Sequence, residues 1–138
     1  MQELLAKYRE IEAEATRERG EFSLFALFLR EDAYGNWDLV VAAPWIGDWN
    51  MKALEYIAGK ITSRLDTQEL LSLSKVVLVS PNDEPVRRLI QEFPVTSDEK
   101  PVEIRDWDYN GMPIARGYIL TARPVSQVAA NAETAAAG

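Results

Sequence analysis

The side chains with most capacity for chemistry cluster in two short segments. In "APWIGDWN", residues 43–50, Trp45 and Trp49 flank Asp48 ahead of Asn50, and in "SPNDEP", residues 80–85, Ser80, Asn82 and Asp83 follow closely on one another. Indole rings are flat apolar plates, and carboxylates accept hydrogen bonds or ligate a hard cation through oxygen. Together the two segments could hold a small ligand or support carboxylate and magnesium chemistry. The same residue types also have a plainer use. Asp, Asn and Ser cap helix N-termini, and a tryptophan at a strand end seals a core while its N–H finds a carbonyl.

Composition narrows the chemistry further. The chain has no histidine and no cysteine, which removes imidazole as a base, thiolate as a nucleophile, sulfur-ligated metals and every triad that relies on His. Neither segment has the glycines that bring backbone against a pyrophosphate. No cofactor and no metal are expected. A net charge of −7 disfavours binding to a phosphate backbone.

A third group of residues suggests binding rather than catalysis. "VEIRDWDY" and "MPIARGYIL" are joined by Asn110-Gly111, a pair that favours a two-residue hairpin turn because both positions need positive φ. That turn sets Tyr109 opposite Met112, Trp107 opposite Ile114, Arg105 opposite Arg116 and Glu103 opposite Tyr118. Strict alternation then puts all of these on one face and Val102, Ile104, Ala115, Gly117 and Ile119 on the other, core-directed face. An exposed face of Trp107, Tyr109, Met112, Ile114 and Tyr118, with Arg105 and Arg116 behind, is an apolar patch of the kind that marks a partner surface. Cover by the N-terminal helix or the C-terminal tail is the plain alternative, and a slip of one residue would exchange the two faces.

The elements that must position these groups follow from periodicity. Leu4, Leu5, Tyr8, Ile11 and Ala15 form one face of a helix over residues 2–19, ended by Gly20. "FSLFALFLR", residues 22–30, is apolar on both alternating faces, as in a strand covered on both sides, and a turn separates it from a second strand at 37–43. Met51, Leu54, Ala58, Ile61 and Leu65 mark a helix over 49–65 with Asp48 or Asn50 as cap. Asp66-x-x-Glu69 opens a short further turn, and "KVVLVS", 75–80, reads as a buried strand. Val86, Leu89, Ile90 and Phe93 share a face of a helix over 84–93, capped by Asn82 or Asp83. Strands at 102–109 and 112–120 complete the set.

The expected fold is a single α/β domain, with α+β as the alternative, in the order α-β-β-α-β-α-β-β around a mixed five-stranded sheet. Both connections that pass through a helix, 37–43 to 75–80 and 75–80 to 102–109, favour parallel crossovers. Residues 1–123 form the domain. The Ala-rich tail 124–138, with only Val125 and Val128 larger than alanine among its apolar side chains, is expected to be flexible. Charge within the first ten residues and no apolar run of membrane-spanning length point to a cytoplasmic chain without membrane contact. The expected function is non-catalytic protein interaction, by self-association or with a partner. A ligand-binding or carboxylate enzyme using the strand-end segments is the alternative.

Overall fold

In the computed structural model, residues 1–31, 35–47 and 50–127 are described. The elements are α1 (Gln2–Glu18), β1 (Leu24–Arg30), β2 (Trp37–Ala42), α2 (Met51–Arg64), α3 (Thr67–Leu71), β3 (Leu73–Leu78), α4 (Glu84–Glu92), β4 (Val102–Tyr109) and β5 (Met112–Ala122). The strands form one mixed sheet in the order β3-β2-β1-β5-β4. β2 and β3 are parallel, and every other neighbouring pair is antiparallel.

Helices lie on both sides because the central strands are apolar on both sides. On one face, Phe25 and Leu27 of β1 and Leu39 and Val41 of β2 pack against Leu5, Tyr8, Ile11 and Ala15 of α1 and Ala53, Ile57 and Ile61 of α2. On the other, Leu24, Ala26, Phe28, Val40 and Ile119 meet Val86, Leu89 and Ile90 of α4. The faces of α1 and α4 are those expected from the spacing; in α2 the buried face runs through Ala53, Ile57 and Ile61, while Met51 is exposed and Leu54 and Ala58 are half-buried. Local signals act where the sequence places them: Asn50 accepts from the N–H groups of Lys52 and Ala53 at the start of α2, and Asp66 and Glu69 form a capping box at α3. Asn110 and Gly111 both have positive φ in the β4–β5 turn.

One connection differs from expectation. β2 to β3 is parallel, but β4 is not β3's neighbour: it lies at the far edge of the sheet and runs the opposite way. The cause is β5. Its alternating apolar side chains and its length let it pair with both β1 and β4, so it takes the place beside β1 and carries β4 outward as its hairpin partner.

The second correction concerns the hairpin faces. The register is the expected one, with Trp107 opposite Ile114 and Tyr109 opposite Met112, yet the faces exchange midway. Against β1, Leu29 pairs with Arg116 and Arg30 with Ile114, so Ala115 is an extra residue in β5, and across from it Asp106 adopts φ +52°. A bulge re-aims every side chain beyond it. Trp107, Tyr109, Met112 and Ile114 therefore join Ile104 and Ile119 on the α4 side of the sheet, while Tyr118 faces the α1/α2 side.

Candidate functional site

The exchange of faces dismantles the aromatic patch. Ile114 is fully buried. Trp107 packs edge-on against Phe93 at the end of α4, with ring centroids 5.0 Å apart, and Tyr109 lies 5.4 Å from Phe28. Burial, with the Asp83 carboxylate nearby, pushes the Tyr109 hydroxyl up to about 12. Tyr118 instead packs 5.6 Å from Trp37 and accepts a hydrogen bond from Arg116. Arg105 and Arg116 both pair with Glu103, at 2.9 and 3.3 Å. α4, rather than α1, covers the aromatic end of the hairpin.

The strand-end residues are likewise divided by the sheet. Trp45 is wedged between Phe22 and Tyr56 on the α1/α2 side, at 5.5 and 6.0 Å, with its indole N–H buried and without a hydrogen-bond partner. Asn50 is occupied as the α2 cap and also donates to the Ile46 carbonyl. On the α4 side, the Ser80 hydroxyl accepts from the Asn82 N–H and Asp83 accepts from the Ser80 N–H, a closed turn leading into α4. A groove of about 190 Å³ takes in Asn82 with Arg87, Ile90 and Pro124, but neither Trp45 nor Asn50. Asp48 and Trp49 lie outside the described residues, as does the tail from residue 128. Among the described residues, no group of His, Cys, Asp or Glu side chains gathers as metal ligands.

One buried polar cluster was not anticipated. Glu12 is 2% exposed and is held between Arg9, 3.0 Å away, and the Thr121 hydroxyl of β5, while Arg9 also donates to the Glu99 carbonyl. Burial outweighs these partners and raises the Glu12 carboxyl above its ordinary value. Its position four residues after Tyr8 and three before Ala15, within the apolar stripe, is the signal that could have revealed it. The cluster ties α1 to β5 and to the loop before β4.

The two edges of the sheet offer a clearer contrast. β4 has the features that stop a strand edge from pairing with another chain: Glu103, Arg105, Asp106 and Asp108 are exposed along it, and Asp106 kinks it. β3 has almost none. Among the described residues it hydrogen-bonds as a strand to β2 alone, and beyond Lys75 it reads Val76, Val77, Leu78, Val79. All four are half-buried, Val76 and Leu78 toward the α1/α2 side and Val77 and Val79 toward α4. The Val79 N–H donates to Val41 in β2. By alternation, Val77 and Lys75 also turn their backbone groups toward β2, and Val76 and Leu78 turn theirs outward; at Ser74 a register shift against β2 breaks the alternation. Just before β3, Leu71 is 72% exposed.

Compared with known proteins, the chain matches no family model, no curated protein and no solved structure. What is established is the architecture, a mixed five-stranded sheet with helices on both faces, and that no helix among the described residues is long and apolar enough to cross a membrane.

Proposed function

We propose that this chain is a protein-interaction domain that works by strand addition at β3 and carries no catalysis of its own. The observation that supports it is the asymmetry of the edges: β4 is charged and kinked, whereas β3 presents outward backbone groups between valines and a leucine. An extended segment laid along such an edge gains main-chain hydrogen bonds, and the alternating side chains provide selectivity. The surface proposed from the sequence, the hairpin aromatics, gives way to this edge because α4 already covers most of it.

The test is a photo-crosslinking side chain at Lys75, with the same group at Arg105 on β4 as control, in the cell from which the protein comes. Adducts from position 75 and none from 105 are expected. Equal labelling at both edges, or none at either, would refute strand addition.

A further inference from the structure

We infer that the partner of β3 is β3 of a second copy, paired antiparallel about a two-fold axis that passes through Val77. The inference rests on the strand-addition reading and names its occupant. A two-fold axis that continues one sheet into another stands perpendicular to the sheet, so each residue faces the same side in both copies. Opposed residues must then share a face. Val76 and Leu78 lie on one face and Val77 and Val79 on the other, so the axis has to pass through a residue and cannot fall between two.

Among the allowed registers, axes at Val77 and at Leu78 each leave one apolar side chain facing a polar one within residues 75–80. The axis at Val77 is favoured because its hydrogen-bonded rungs lie inside β3, whereas the other needs the Ser80 N–H, which already donates to Asp83. Val77 meets Val77, and Val76 meets Leu78 on either side of the axis; only Lys75 falls opposite Val79. An axis at Val76 would set Ser74 against Leu78 and Lys75 against Val77, and an axis at Leu78 would set Val76 against Ser80. The backbone agrees. Val76 and Leu78, whose N–H and C=O groups point outward, become the hydrogen-bonded rungs, while Val77, turned toward β2, becomes the non-bonded pair at which side chains approach most closely.

Charge and exposure fit a second copy as well. Lys75 has no ion pair among the described residues, and it shares the α4 side of the sheet with Val77 and Val79. The antiparallel arrangement brings this lysine beside the end of the other β3, from which the chain passes through exposed Asp83 and Glu84 into α4. The exposed Leu71 at the entry to β3 is carried toward the same end of the other copy.

The absence of native cysteine makes the register directly testable. The full chain at high-micromolar concentration should sediment as a dimer. Val77→Cys should form an intermolecular disulfide under mild oxidation. Val76→Cys and Leu78→Cys should each resist it alone but crosslink when mixed, since self-contact at these positions spans more than the ~7 Å that a disulfide tolerates between Cα atoms. Val77→Lys, which sets like charges face to face, should return the chain to monomer mass with its circular dichroism unchanged. A monomeric wild type overturns the inference, as does crosslinking of Val76→Cys alone to the same extent as Val77→Cys. If the wild type is monomeric but Lys75 still labels a different protein in cells, the two-fold pairing fails and strand addition stands.

Discussion

Gly117→Ala probes the hairpin register at its tightest point. Gly117 opposes Ile104 across β4–β5, and a Cβ there would lie 2.9 Å from Ile104 Cγ1, 3.1 Å from Phe28 Cδ1 and 3.2 Å from Ile104 Cδ1. Carbon atoms pack best at about 3.5–4.0 Å, and neither neighbour has open space to retreat into, because Ile104 is 4% and Phe28 1% exposed. Overpacking of this kind costs about 1–3 kcal/mol. Replacing a strand glycine returns about 0.5–1 kcal/mol through the unfolded chain. The net expectation is a loss of about 1–2 kcal/mol, read as a melting temperature lower by roughly 3–8 °C. Ile104→Ala removes both Ile104 atoms from the clash at its own cost of about 2–5 kcal/mol. On that background Gly117→Ala should cost no more than about 0.5 kcal/mol, a coupling of about 1–2 kcal/mol in a double-mutant cycle by urea denaturation. Equal losses on both backgrounds would show that Ile104 is not the obstacle.

Three other outcomes follow from the structure. Asn50→Ala removes the acceptor for two N–H groups at the start of α2 and should lower the stability measured in urea by about 1 kcal/mol. Trp107→Ala should destabilise the fold by about 2–3 kcal/mol through lost packing on Phe93 while leaving the sedimenting mass unchanged; lost association at unchanged stability would restore the hairpin as the interface. Glu12 should make stability fall as pH rises. Its folded value lies above 4.5, so at lower pH both states are protonated and it contributes nothing, and as pH climbs from 4.5 the unfolded chain releases its proton first and is favoured. The acids of the α1–α2 contacts, Glu14 and Glu18, are shifted the other way by Lys60, Arg64 and Tyr56, so the difference between wild type and Glu12→Gln isolates Glu12. That difference should widen in favour of the variant from pH 4.5 upward, and a constant difference would count against a raised value.

The parts of the fold that were legible in the sequence are those governed by neighbours in the chain. Helix faces such as Leu5, Tyr8 and Ile11, the Asn110-Gly111 turn and the two-sided strand β1 all follow from spacing over a few residues. Strand order did not, because β5 beside β1 is a choice between partners far apart in sequence. Asp106 and Ala115 show why the candidate site moved. A bulge is one residue out of phase, and nothing in "RDWDY" or "PIARG" announces it, yet it turns Trp107 and Ile114 from surface to core. Trp45 and Asp83 suggested a shared pocket only while both strands were assumed to send their chains to the same side of the sheet. "KVVLVS" reads as a buried strand because its apolar run does not reveal that, among the described residues, one side of it has no strand neighbour.

Placing β1 and β5 side by side at the centre also governs the order in which the molecule can form. Phe28 waits for Gly117, and Leu24 for Ala122, so the middle of the sheet is closed by segments from near the two ends of the chain. Long-range pairing of this kind slows folding, since loop-closure entropy is lost before the contacts that offset it are made. During synthesis, α1, β1 and β2 leave the ribosome with one edge of β1 open and both of its faces rich in Phe and Leu. Until β5 arrives, that edge is the segment most liable to capture by another nascent chain. Any product truncated before residue 112 retains this exposure permanently and should aggregate rather than accumulate as a smaller folded domain.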